Sequence, residues 1–287
     1  MLAIQPFDTA LGAQVSGLDL AEPLDDDTFG TIERAYNEHS LLLFRDQQLT
    51  PDQHIAFSQR FGNLQVHVLD QWCHPEHPEL LVVSNIKDGD RHVGIYNAGR
   101  FWHTDLSYMQ APSRGSLLYA LEIPVADGHP LGDTLFASTG AAYDALPEST
   151  RKRIGNLRAT FSLAHQRAKL LAQGDTGSVL TEEQLAKTPV ATHRIVQKHP
   201  VTGRTCLFIN EGHAIEILDV PADEGRELLD MLCRHATKPE FVFRQRWRVG
   251  DLLMWDNVAT QHIAKFDYAL PQRRYLHRTT LEGVALA

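Results

Sequence analysis

Phe29, Ile32, Ala35 and Tyr36 recur at the three- and four-residue spacing of one helix face. Thr50-Pro51-Asp52-Gln53 then supplies a capping box with proline in the first turn, and Gly62 a plausible stop. Two N-terminal helices are therefore predicted, with the unbroken apolar run Leu41 to Phe44 as a buried strand between them. From about residue 79 the pattern changes to short strands, over 79–86, 115–122, 195–198, 205–210, 240–247, 251–255 and 274–280. Within the fifth, Phe241, Phe243 and Trp247 fall on one face and Arg244 and Arg246 on the other, as in a half-exposed strand. His199-Pro200-Val201-Thr202-Gly203-Arg204 reads as a hairpin turn. Further helices near 138–146 and 222–235 interrupt strands instead of alternating with them, which favours a β-sandwich or barrel with helical decoration over a doubly wound sheet.

A chain of 287 residues with 43% hydrophobic residues can bury a full core, and with no repeat or flexible linker it reads as one domain, 1–287. No window approaches a membrane span, and Met1-Leu2-Ala3-Ile4-Gln5-Pro6 lacks the features of a signal peptide, so a soluble cytoplasmic protein is expected. Cys73, Cys206 and Cys233 are too few and too scattered for a disulfide framework or a thiolate metal site. A net charge of −9 argues against nucleic acid or an anionic membrane as partner. An anionic ligand would need a local cluster of arginines.

Candidate chemistry centres on Trp102-His103-Thr104-Asp105, answered downstream by Trp255-Asp256-Asn257 and His262. On a strand, His103 and Asp105 would leave the same face about 6.5–7 Å apart, close enough for converging side chains to share an ion. Two imidazoles and one carboxylate with open positions opposite are the ligand set of non-haem Fe(II) oxygenases. A lone His-x-Asp is what chance supplies in a chain with 15 histidines, so its setting must carry the argument. Phe101, Trp102, Leu106 and Tyr108 give it an apolar wall, and the buried strand 251–255 ends just before His262. The tandem His-x-Glu units of His74-Pro75-Glu76-His77-Pro78-Glu79 carry prolines that forbid a central strand, so they are set aside as an exposed loop.

Gln272-Arg273-Arg274-Tyr275-Leu276-His277-Arg278-Thr279-Thr280 is the second informative segment. As a strand it places Arg274, Leu276 and Arg278 on one face, and two guanidinium groups on an apolar strand of an acidic protein suggest a dry carboxylate site. An exposed charged edge strand is the alternative.

Taken together, Trp102-His103-Thr104-Asp105, Gly132-Asp133-Thr134, Ala141-Ala142-Tyr143-Asp144-Ala145-Leu146, His199-Pro200, Asn210-Glu211-Gly212, Trp255-Asp256-Asn257, His262 and Arg273-Arg274 through Arg278-Thr279-Thr280 run in one order along nearly the whole chain. They resemble the taurine dioxygenase / dichlorophenoxyacetate dioxygenase family of Fe(II)/2-oxoglutarate oxygenases. The resemblance implies a double-stranded β-helix, or jelly roll, in which His103, Asp105 and His262 bind Fe(II). It implies 2-oxoglutarate and O2 as co-substrates, with Thr134 and Arg274 on the distal carboxylate and Arg278 on a substrate anion or the co-substrate near the metal. Counting from His262 fits Arg273, whereas the following motif fits Arg274, which is preferred. His67 matches a substrate-contacting histidine. The position three residues later is Asp70 where relatives have tyrosine, and Gly99 stands where they have asparagine, which argues against taurine itself.

The expected reaction is hydroxylation of a small organic anion such as a sulfonate, aryloxyalkanoate or alkyl sulfate, at carbon next to a heteroatom, with cleavage of that bond. Asp105 occupies the position a halide would need, which argues against halogenation. Two rivals differ in kind: a jelly-roll metalloenzyme that does not use 2-oxoglutarate, and a non-catalytic jelly-roll binding module. The polar insert 167–189 is expected to shape the pocket, as a lid, and a homodimer or homotetramer is expected from the resemblance.

Overall fold

The computed structural model describes residues 1–175, 179–283 and 286. Its centre is a seven-stranded sheet built from both ends of the chain: β1 (Ala3–Pro6), β2 (Ala13–Ser16), β3 (Leu41–Phe44), β4 (Leu81–Ser84), β5 (Gly115–Glu122), β8 (Leu252–Asp256) and β10 (Tyr275–Thr280). Their spatial order is β1-β2-β3-β8-β5-β10-β4, antiparallel throughout except for the β2/β3 pair. A second sheet has the order β7-β6-β9, from β6 (Thr134–Ser138), β7 (Val242–Gln245) and β9 (Thr260–Ala264).

Alternation along the central strands explains how the layers stack. Leu41 and Leu43, Leu118 and Ala120, and Leu253 and Trp255 point one way, into a core shared with Phe136, Phe243 and Trp247 of the second sheet and the residues that follow it. Leu42 and Phe44, Leu117 and Tyr119, and Leu252 and Met254 point the other way. There they meet Ile32, Ala35 and Tyr36 of α1 (Asp26–His39) and Phe57 of α2 (Pro51–Gln59). The capping box forms as the sequence predicts, Thr50 and Gln53 bonding reciprocally, and α1 is capped as well, Asp25 accepting from Thr28 N at 2.7 Å. With both faces covered, an apolar run such as Leu41 to Phe44 is the only composition that suits β3.

The helices predicted near 138–146 and 222–235 are α3 (Thr139–Asp144), capped by Ser138, and α7 (Ala222–Ala236). The hairpin at His199 to Arg204 joins strands Val196–Lys198 and Thr205–Leu207. Several expectations need correction. Phe241 lies in a 3-10 turn and packs in a different core from Phe243 and Trp247. Strands β1, β2, β6 and β9 were not predicted, nor was the three-stranded sheet of Arg158–Phe161 with Ala191–Arg194 and Ala214–Ile217. Between α3 and α7, α4 (Glu148–Ile154) precedes α5 (Leu163–Ala172) and α6 (Glu182–Lys187). The polar insert 167–189 is thus largely helical, though 176–178 lie outside the described residues. No helix among the described residues is long and apolar enough to cross a membrane.

Candidate active site

His103, Asp105 and His262 converge in the interior between the sheets, each buried, with one ligand atom apiece lying within 4.8 Å of the others. No other such group of histidine, cysteine and carboxylate side chains occurs among the described residues. The strand expected for His103 and Asp105 is not what brings them together. His103 forms a single antiparallel bridge with His262, and the chain then turns, with Leu106 at φ +54°. Asp105 therefore reaches the cluster from a turn. His262 is a strand residue of β9, not one beyond a strand end.

Each ligand candidate is held in a different way. His103 Nδ1 lies 2.9 Å from the Phe101 carbonyl, which makes that nitrogen the donor and turns Nε2 toward Asp105 Oδ1, 3.7 Å away. His262 is held by rings: it stacks on Phe136 at 5.3 Å and 22° and meets the edge of Trp255 at 5.0 Å. Burial, reinforced by the nearby His103, keeps the His262 pKa well below its usual value, so the ring is neutral as a ligand must be. Burial alone would raise the Asp105 pKa. Arg278, donating from Nη1 to Oδ1 at 2.7 Å, and the two histidines override that and hold the carboxyl well below its usual range. Two imidazoles and a carboxylate kept ionised suit a divalent transition metal.

Strand β10 carries the cationic side of the site. Leu276 enters the inter-sheet core, and Arg274 and Arg278, two residues to either side, are buried at 4% and 7% exposure. His277 and Tyr275 lie on the opposite face, in contact with each other. The arginines are about 13 Å apart along the backbone, four strand residues. Arg278 Nε and Arg274 Nε are both buried without a hydrogen-bond partner among the described residues. Burial lowers the Arg274 pKa, an effect Tyr268 opposes. Gly132, at φ +73°, is packed so tightly here that a Cβ would sit 3.0 Å from Arg274 Nε. Thr134 Oγ1 accepts from Trp247 Nε1 at 3.0 Å, which leaves its own proton free for an acceptor. Arg273, by contrast, is at the surface in a two-point ion pair with Glu122.

A cavity of about 50 Å³ opens on His103 and Asp105. His67 and Arg278 line it beside apolar Leu81, Ile95 and Leu163, with Arg167 from α5 closing one side. Burial, with Arg278 nearby, pushes the His67 pKa down to about 3. Gly99 also lines the cavity, against Ala264 and His103. Asp70 does not: it is exposed on the 3-10 turn Asp70–Trp72, so its proposed substrate contact finds no support in the fold. Sequence reasoning assigned no role to Ser116, which donates to Asp105 Oδ2 at 2.8 Å, to Trp247 beneath Thr134, or to His213 in the cavity wall. A buried serine in a strand, or a tryptophan just past the end of one, carries no local signature of such contacts.

Known proteins are similar to this chain. The family model described as Taurine catabolism dioxygenase TauD, TfdA family matches residues 3–280. The chain is 37% identical over 286 residues to the alpha-ketoglutarate-dependent 2,4-dichlorophenoxyacetate dioxygenase of Cupriavidus pinatubonensis, with 96% of each chain covered. It is 32% identical over 280 residues to the pentalenolactone F synthase of Streptomyces avermitilis, covering 94% of this chain and 90% of that one. The crystal structure of AAD-2 in complex with Mn(II) and N-oxalylglycine matches with a TM-score of 0.82 at 33% identity, over 99% of this chain and 98% of that one. Fold and site together define an Fe(II)- and 2-oxoglutarate-dependent dioxygenase. Within that class, the chain belongs to the TauD/TfdA family.

Proposed function

We propose that the protein hydroxylates a small organic anion at a carbon next to a heteroatom, in a single-domain double-stranded β-helix, with His103, Asp105 and His262 as the iron ligands. The observation that carries this reading is the buried convergence of those three side chains beside two buried arginines on one strand face. When bound, the iron couples oxidative decarboxylation of 2-oxoglutarate to succinate and CO2 with insertion of oxygen into a substrate C–H bond.

The chain's own residues supply position and charge. Arg274 and the Thr134 hydroxyl would take the distal carboxylate of 2-oxoglutarate; Arg274 suits this where Arg273 does not, because Arg273 already pairs with Glu122 at the surface. Arg278, whose Nε lacks a partner among the described residues, and His67 would hold the substrate anion close to the metal. The apolar part of the lining, Leu81, Ile95 and Leu163, suits a substrate with an apolar body. Relatives named for a dichlorophenoxyacetate and for pentalenolactone F differ widely, so the class of anion is drawn from this cavity and not from either name.

Arg274 and Thr134 weigh against a metalloenzyme without 2-oxoglutarate, since a buried guanidinium whose Nε lacks a partner among the described residues, together with a hydroxyl proton free for an acceptor, suits a carboxylate. The test is substrate-coupled succinate formation, dependent on Fe(II) and 2-oxoglutarate, across aryloxyalkanoates, alkyl sulfates and sulfonates. Turnover confined to substrates without an anionic group would overturn the assignment of Arg278 and His67.

A further inference from the structure

Asp105 is tied into a chain of buried polar groups that leads away from the metal triad. Trp255 Nε1 donates to Asn257 Oδ1 at 3.0 Å, and Asn257 Nδ2 donates to Ser113 Oγ at 3.1 Å and Ser116 Oγ at 3.3 Å. Ser116 Oγ in turn donates to Asp105 Oδ2 at 2.8 Å. Trp255, Ser113, Ser116 and Asn257 are each at most 1% exposed, so no solvent competes for these bonds. Ser116 sits mid-sheet, opposite Trp255 on one neighbouring strand and Thr280 on the other.

The direction of every bond in this chain is determined. An indole N–H can only donate, so Trp255 fixes which end of the Asn257 amide faces it and turns Nδ2 toward the serines. Ser113 needs its proton for a backbone carbonyl, Gly115 O or Leu281 O, and so accepts from Asn257. Ser116 receives the other amide hydrogen, and the proton it has left points to Asp105. The two carboxylate oxygens are thereby made unequal: Oδ2 is held by Ser116, whereas Oδ1 faces His103 Nε2 and Arg278.

We propose that Ser116, oriented by Asn257 and Trp255, is a positioning residue that restricts Asp105 to binding the metal through Oδ1 alone. A carboxylate free to rotate can bind through both oxygens and so take a coordination position that a facial triad must leave open for the co-substrate. The fixed hydroxyl keeps the carboxylate plane from turning. This inference rests on the reading of His103, Asp105 and His262 as metal ligands.

The experiment compares wild type, Ser116→Ala, Ser116→Thr and His103→Ala as folded apoproteins. It measures Mn(II) affinity, the absorption spectrum of the Co(II)-loaded forms, which reports coordination number, and the affinity of Co(II)-loaded protein for 2-oxoglutarate. Ser116→Ala should weaken metal binding about 10- to 100-fold, change the Co(II) spectrum toward higher coordination number, and weaken 2-oxoglutarate binding, and Ser116→Thr should restore all three. Should Ser116→Ala not fold, Asn257→Ala carries the test, since it frees the Ser116 hydroxyl to rotate; a smaller shift in the same direction is expected. A Ser116→Ala protein with wild-type metal affinity, spectrum and 2-oxoglutarate affinity overturns the proposal while His103→Ala still loses metal. If His103→Ala binds metal as wild type does, the ligand assignment itself fails.

Discussion

His103 and His262 exchange both of their backbone hydrogen bonds, His103 N to His262 O at 3.0 Å and His262 N to His103 O at 2.8 Å. Two imidazoles from distant parts of the sequence are thus set opposite each other by main chain alone, and their rings lie 4.2 Å apart. Because the bridge does not involve the side chains, His103→Ala and His262→Ala should each keep the fold, with cooperative thermal unfolding and an unchanged circular dichroism spectrum. Both should lose Mn(II) affinity by more than the roughly 100-fold that loss of an outer hydrogen-bond partner costs. Isothermal titration with Mn(II) checks this, and retained tight binding by either variant would remove that residue from the ligand set.

Adjacent arginines with opposite environments give the second prediction. Arg274 is buried, whereas Arg273 is paired with Glu122 at the surface. A hydrogen bond to a charged group contributes about 1.5–3 kcal/mol, so Arg274→Met should raise the KM for 2-oxoglutarate roughly 10- to 150-fold. An exposed ion pair contributes about 0–1 kcal/mol to stability, so Arg273→Met should leave that KM unchanged. Steady-state kinetics on both variants separates the two positions; equal effects would mean that the buried guanidinium is not the carboxylate partner.

The legible parts of the site are those encoded by side-chain chemistry at short spacing. Arg274, Leu276 and Arg278 alternate as a strand requires, and the structure buries all three. The Thr50 capping box was equally plain. Strand β9 was not, because Thr260, Gln261 and His262 are polar and consecutive, yet all are buried by the sheets around them. No period of two survives when both faces are covered. The turn after His103 was hidden for another reason: Leu106 at positive φ is a conformation that leucine does not advertise. Asp70 was misjudged because a position counted from His67 ignores the 3-10 turn that carries it to the surface.

Gly132 offers a test of how closely the fold grips Arg274. It occupies φ +73°, and a methyl group there would lie 2.9 Å from Tyr268 Cε1 and 3.0 Å from Arg274 Nε. Gly132→Ala combines backbone strain of about 1–2 kcal/mol with displacement of the guanidinium. The expected result is a folded protein with lower Tm and a 2-oxoglutarate affinity reduced in the same direction as in Arg274→Met. Lower Tm with unchanged 2-oxoglutarate affinity would show that Arg274 tolerates the shift.

Behind β10, away from the metal triad, His54 and His277 contribute to the pH dependence of stability. Burial, with His277 nearby, pushes the His54 pKa down to about 3, and burial, with His74 and His77 nearby, pushes that of His277 down to about 4. His54 is 1% exposed, facing Thr279, Ser58 and the edge of Tyr119. Both histidines are neutral in the folded chain but take up a proton near pH 6.5 once unfolded. Between those values the unfolded state binds more protons, so stability is fully present above about pH 6.5 and declines as pH falls toward the folded values. At 1.36 kcal/mol per pH unit, each should cost about 2 kcal/mol by pH 5. Replacing His54 by non-titrating glutamine should therefore flatten the stability profile of the metal-free protein by about that amount between pH 7 and 5. Urea unfolding at the two pH values, with chelator present, measures it. A His54→Gln profile as steep as that of the wild type would show that this buried ring is not a source of the acid sensitivity.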